Sequence, residues 1–147
     1  MAGASAPAIL FSVLVLLYFE QRMNVIISHT TANLPTGRFQ KIAAAILGPD
    51  YQLSLTFIGS TRARSLNQAT RLKDYVPNVL SFPLGDAVGE MFICPAVAQK
   101  EAKEFDLSRN GHIAFLFIHG LLHLKGYPHG DQMEKLEEKY LRKFNIT

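Results

Sequence analysis

At 147 residues the chain is long enough for one compact domain with a single core and too short for two. An apolar content of 48% against 18% charged residues excludes a disordered chain. A formal charge of +3 permits contact with a polyanion without requiring it, and the single cysteine, Cys94, excludes an internal disulfide and fits a reducing compartment.

Residues 1–22 differ from the rest. Ala8 to Phe19 is almost wholly apolar but too short to span a bilayer, which takes about 20 apolar residues. No Lys or Arg precedes it, and Tyr18-Phe19-Glu20 makes a poor cleavage site, so a secretory signal is disfavoured. Met23 follows and opens the strand-like segment Met23-Asn24-Val25-Ile26-Ile27-Ser28. We therefore expect residues 1–22 to be an upstream-start extension, with a signal or membrane-surface segment as the alternative, and residues 23–147 to be the domain.

Strand patterns fall at 23–28, at Gln52–Gly59, at Asn78–Phe82 and at Gly89–Cys94. In the second of these, Leu53, Leu55 and Phe57 alternate with Gln52, Ser54 and Thr56. Cys94 closes an apolar run and reads as a small buried hydrophobe. Helical patterns occupy Thr36–Leu47, stopped by Gly48-Pro49-Asp50, and Ser60–Leu72, for which Ser60 is a candidate N-cap. Pro95 can open a third helix running to about Phe105. A fourth begins near Ser108 and ends at Gly126; apolar residues surround it, so it should be central and buried. Asp131 to Phe144 completes the set as an amphipathic helix. Strands and helices interleave, which implies an α+β domain built as a single sheet with about five helices packed against it.

The chemistry concentrates in His119-Gly120-Leu121-Leu122-His123-Leu124-Lys125-Gly126-Tyr127-Pro128-His129. Histidines at i and i+4 share one helix face, so both imidazoles can address one ion. Gly126 can adopt positive φ and turn the chain back, bringing His129 to the same ion as a third ligand. Three neutral nitrogens leave the fourth tetrahedral position open, as in a catalytic zinc site. Imidazole also suits nickel, copper and iron; zinc leads through its geometry and its use in hydrolysis. A zinc protease carries Glu directly after the first histidine as general base, and Gly120 stands there instead. His112, seven before His119, is expected to be a partly exposed helix residue, and His29 to lie in a loop.

These residues resemble a known family. The histidine segment is similar to the HGxLHLxGYDH signature of the YbeY endoribonucleases, also described as rRNA maturation factors. Leu66-Asn67 followed by Arg71-Leu72-Lys73-Asp74-Tyr75-Val76-Pro77-Asn78-Val79-Leu80-Ser81-Phe82-Pro83 resembles that family's block LNxxYRxKDxxTDVLSFP, and Gly89-Glu90-Met91-Phe92-Ile93-Cys94-Pro95 its LGDIxICP strand. The resemblance runs in order from about Met23 to the end. It implies a mixed four-stranded sheet, one zinc ion on His119, His123 and His129, and cytoplasmic, single-strand-specific cleavage of RNA. The implied role is maturation of the 16S rRNA 3′ end and ribosome quality control, with rRNA and the small subunit as partners and neither DNA nor a membrane. The family's functionally important arginine carries over to Arg71. Physical chemistry agrees, because phosphodiester cleavage builds charge on the non-bridging oxygens and a guanidinium forks onto them. Arg62, Arg64 and Lys73 could extend a basic groove.

Three positions depart from the family pattern. Pro128 replaces an Asp, Pro77 a Thr, and Phe115 stands where many relatives carry another histidine. Losing the Asp removes a carboxylate that could orient a ligand histidine, for which Asp131 is a candidate substitute. That loss keeps open a second reading, a ribosome-assembly binding factor with a structural zinc. A third reading, a zinc hydrolase of peptides or small molecules, is opposed by Gly120 and the Arg71 block.

Overall fold

The computed structural model of the protein describes residues 25–29 and 36–147, which form four strands and five helices. In chain order they are β1 (Val25–His29), α1 (Phe39–Leu47), β2 (Gln52–Phe57), α2 (Ser60–Arg71), β3 (Val79–Gly85), β4 (Val88–Ile93), α3 (Pro95–Glu101), α4 (Arg109–Leu124) and α5 (Asp131–Lys143). The extension expected at 1–22 and the start of the first strand at Met23 lie outside the described residues.

The strands form one mixed sheet in the order β1-β2-β4-β3, with β1 and β4 parallel to β2 and β3 antiparallel to β4. Connection lengths dictate this arrangement. Parallel neighbours need a crossover, which α1 supplies between β1 and β2. Only Asp86 and Ala87 separate β3 from β4, and so short a link forces a hairpin. Pro83 falls on the edge strand β3, where a missing N–H is tolerated, and the register shifts between Pro83 and Gly85. The α+β expectation, a single mixed four-stranded sheet with five helices, holds.

Several local expectations need correction. Ser60 is the first helical residue, not the cap. Extended Gly59 caps α2 through its carbonyl, which accepts from the Ala63 amide, and the Ser60 hydroxyl faces the buried Cys94 thiol at 3.9 Å. α3 ends at Glu101, and turns carry the chain on to Asp106. His29 ends β1 with its ring stacked on Phe57 at 5.2 Å, rather than lying in a loop. The fourth helix is capped as expected: Ser108 Oγ accepts from the Gly111 amide at 3.0 Å.

α4 is the axis of the domain. α1 packs along it, with Phe39 stacked on Phe117 at 4.4 Å, and α3, α5 and the sheet cover its other sides. It approaches the sheet closely at Gly120, where an added Cβ would lie 2.6 Å from Met91 Cε and 2.7 Å from Ser81 Oγ. Glycine here is a packing requirement, and it fixes the height of the neighbouring His119 above β3 and β4. We expect Gly120→Ala to lower stability by about 1–3 kcal/mol, the usual cost of overpacking a core. Urea titration checks this; an unchanged midpoint would show that Met91 and Ser81 yield freely.

Candidate metal centre

The last two turns of α4 carry His119 and His123 on one face. The helix then stops in a Schellman turn. The Tyr127 amide donates to Leu122 O at 3.1 Å, the Gly126 amide donates to His123 O at 2.9 Å, and Gly126 takes φ +103°. The positive φ expected of Gly126 is therefore what reverses the chain. Lys125 fixes the turn to the rest of the fold by donating from Nζ to Ile46 O at the end of α1, at 2.8 Å. The return brings the His129 ring to 5.1 Å from His119 and 4.4 Å from His123, centroid to centroid.

Each helical imidazole is oriented through its Nδ1. His123 Nδ1 lies 3.0 Å from Tyr127 O, so the turn that ends the helix also aims the ligand. His119 Nδ1 lies 2.6 Å from Glu137 Oε1, on α5. A carbonyl and a carboxylate can only accept, so both Nδ1 atoms carry the proton and both Nε2 atoms present lone pairs. Those Nε2 atoms face each other at 3.1 Å. With both rings neutral, the two Nε2 lone pairs converge on a position that a cation, a proton or a metal ion, can occupy. Tetrahedral zinc with Zn–N bonds of about 2.0–2.1 Å needs its nitrogens about 3.3 Å apart, close to this separation. Ligand atoms of all three histidines lie within 4.8 Å of one another, so the three side chains could together hold a metal ion.

Glu137 was not anticipated from the sequence. It is 8% exposed, on the buried side of α5 between Met133 and Tyr140. Its signal was legible: spacings of four and three put a carboxylate on the apolar face of an amphipathic helix, where an acid needs a partner. Glu137, rather than Asp131, thus provides the carboxylate whose loss Pro128 suggested; Asp131 is exposed in the first turn of α5. We expect Glu137→Gln to weaken zinc binding roughly 10- to 100-fold, the range for losing such a partner, as read by competition with a chromogenic chelator. Wild-type affinity in this variant would show that the carboxylate charge does nothing for the ion.

Burial, and then the charge His119 can carry, lower the proton affinity of His123 against the smaller opposing pull of the Tyr127 carbonyl. A histidine whose folded pKa is depressed stabilises the fold above its unfolded pKa of about 6.5, and that contribution is lost as pH falls through the folded value. Metal-free protein should therefore lose melting temperature below about pH 6.5. The loss should be smaller in His123→Gln, a comparison that melting curves at pH 7.5 and 5.5 would settle.

His112 is fully buried rather than partly exposed, with Nε2 at 2.9 Å from Glu101 Oε2. A cleft of about 230 Å³ opens beside the triad, and its walls include Asn78, Phe105, Phe115, His119, His129 and Glu134. Arg71 stands exposed in the last turn of α2 and makes no ion pair among the described residues. Arg64 Nε instead pairs with Asp74 at 2.7 Å, while Arg62 and Lys73 are exposed. Arg71 is not one of the residues lining the cleft, which Asn78, seven positions on, reaches from the start of β3.

Comparisons with known proteins agree with this geometry. The family model described as "Endoribonuclease YbeY" matches residues 20–145. The chain is 35% identical to an endoribonuclease YbeY from Thiobacillus denitrificans, over 86% of this chain and 94% of that protein. It is 37% identical to one from Methylobacillus flagellatus, over 78% and 83%. A solution structure from Thermotoga maritima superposes with a TM-score of 0.57 at 25% identity, covering 82% of this chain and 91% of that one. Sequence match, fold and the histidine turn converge on one conclusion: the chain belongs to the YbeY endoribonuclease family.

Proposed function

We propose that the protein is a zinc-dependent endoribonuclease of single-stranded RNA that acts in rRNA processing, at the 3′ end of 16S rRNA, and in ribosome quality control in the cytoplasm. His119, His123 and His129 hold one zinc ion in this reading, other divalent transition metals being able to replace it. Arg71 binds the scissile phosphate. The observation that carries the reading is the pair of Nε2 lone pairs facing each other at 3.1 Å, each fixed by a hydrogen bond at the opposite ring nitrogen. A zinc ion, when bound, supplies Lewis acidity toward phosphoryl oxygen and water. Glu137 and the Tyr127 carbonyl hold the two helical rings at the angle that coordination needs. Arg71 can fork onto non-bridging oxygens as they gain charge.

Two rival readings lose support. A binding factor with a structural zinc was favoured by the Asp missing at Pro128, and Glu137 now fills that need. A peptide hydrolase needs a glutamate at position 120, where Met91 and Ser81 leave no room for one. No helix among the described residues is long and apolar enough to cross a membrane. The test is cleavage of a single-stranded RNA against the same sequence annealed to its complement, by zinc-loaded protein, with the product ends identified. Cleavage of the single strand alone, leaving a free 3′-hydroxyl or 3′-phosphate without a cyclic form, is expected. A 2′,3′-cyclic phosphate would mean that the RNA's own 2′-hydroxyl attacks, and absence of cleavage would restore the binding-factor reading.

A further inference from the structure

We propose that Phe105 and Phe115 form a nucleobase subsite beside the metal centre, on which an unpaired base adjoining the scissile phosphate stacks. The proposal rests on the endoribonuclease reading for the position of that phosphate. Its physical basis lies in the cleft itself.

Phe105 is 50% exposed, a large apolar ring left in contact with solvent at the wall of the cleft. One side of that ring is supported: its centroid lies 4.7 Å from His112 and 5.4 Å from Phe115. Phe115 in turn lies 6.2 Å from the ring of His119, so aromatic surface runs without a break from solvent to a candidate zinc ligand. Asp106, directly after Phe105, takes φ +53° in the turn that presents that ring.

The wall is also rigid. His112, directly behind Phe105, is fully buried and bonds Glu101 Oε2 through Nε2 at 2.9 Å. The same carboxylate accepts from Asn78 Nδ2 at 3.2 Å, and Asn78 Oδ1 accepts from the Val79 amide at 2.7 Å. One partly buried network therefore ties Asn78 to the aromatic wall, and neither Glu101 nor His112 lines the cleft itself. Such preorganisation serves a ligand that must be held flat against the ring.

The chemistry of the cleft selects a base over a phosphate. Glu134 and Glu137 line it, and two carboxylates disfavour a second anion. A base is uncharged, offers a π face to Phe105, and can donate from an amino or imino group to the exposed Glu134 carboxylate. Stacking of this kind is open only to a base released from its own helix, so the subsite would also impose single-strand preference.

The test uses full-length, zinc-loaded protein and single-stranded RNA oligonucleotides with an abasic residue placed in turn at each position flanking the cleavage site. At one position the base should raise kcat/KM by roughly 10- to 100-fold in wild type, the range for aromatic stacking. In Phe105→Ala that advantage should collapse to less than threefold, and Phe105→Tyr should restore it, with zinc content equal in all three. Phe105→Leu separates stacking from packing: if it behaves as wild type, the ring is only an apolar wall and the proposal falls. The proposal falls equally if no abasic position affects wild-type cleavage. A binding measurement keeps it testable if the protein proves not to cleave RNA. Fluorescence of 2-aminopurine at the same position should be quenched by wild type and by Phe105→Tyr but not by Phe105→Ala. Equal quenching by all three, or by none, would overturn it.

Discussion

Replacing His123 by alanine should reduce bound zinc from one per chain to a small fraction and lower RNA cleavage by at least about 10³-fold, the several kcal/mol that Lewis-acid stabilisation supplies. The expectation follows from where His123 stands. It is the middle histidine of the cluster, its Nε2 is 3.1 Å from that of His119, and the Tyr127 carbonyl of the reversing turn aims it. Removing it leaves two imidazoles, one of which, His129, is exposed on the loop. The fold should survive, because His123 is only partly buried and the Schellman bonds of the turn are made by backbone atoms. Metal analysis, circular dichroism and cleavage on one preparation would check all three statements. Full zinc occupancy with lost activity would place the ion elsewhere; unchanged activity without zinc would end the metal-dependent reading.

How much of this was legible in the sequence depends on whether the information was local. Strand and helix positions were readable because turn chemistry and periodicity are local, as at Ser108 and Gly126. The histidine triad was readable because spacing on one helix, plus one glycine, nearly determines its geometry. Burial of β2 on both faces was not legible. Alternation of Leu53, Leu55 and Phe57 with polar residues does not show what covers the polar face, and the fold buries Gln52, Ser54 and Thr56 as well. Ser60 failed as a cap for a different reason: the preceding Gly59 already supplies the extended residue, and Ser60 faces Cys94 across a long sequence separation. His112 and Glu137 share one lesson. Each is a polar residue on a buried helix face whose partner lies on another helix, 11 and 18 residues away respectively. Sequence shows that such a residue needs a partner without showing which.

Changing Arg71 to alanine should lower kcat/KM for RNA by about 10²–10³-fold, the cost of removing one preorganised donor to a developing charge, and leave zinc content unchanged. Arg71 is exposed at the end of α2 and pairs with no acid among the described residues, whereas Arg64, two turns earlier, is taken up by Asp74. A guanidinium left without a carboxylate keeps its donors for a phosphate. Its mounting is also unusual, because the next residue, Leu72, closes the helix at φ +56° with its side chain 89% exposed. A bulky apolar residue in that conformation gains nothing from packing, and the turn instead ends the helix at Arg71. Melting temperature should accordingly stay within about a degree of wild type, since surface changes of this kind cost little. Arg71→Lys distinguishes forked recognition from simple charge. If lysine recovers less than about a tenth of the lost activity, two parallel hydrogen bonds to one phosphate are needed. If it recovers nearly all, Arg71 acts as a point charge, and the salt dependence of KM should then be the same in both proteins.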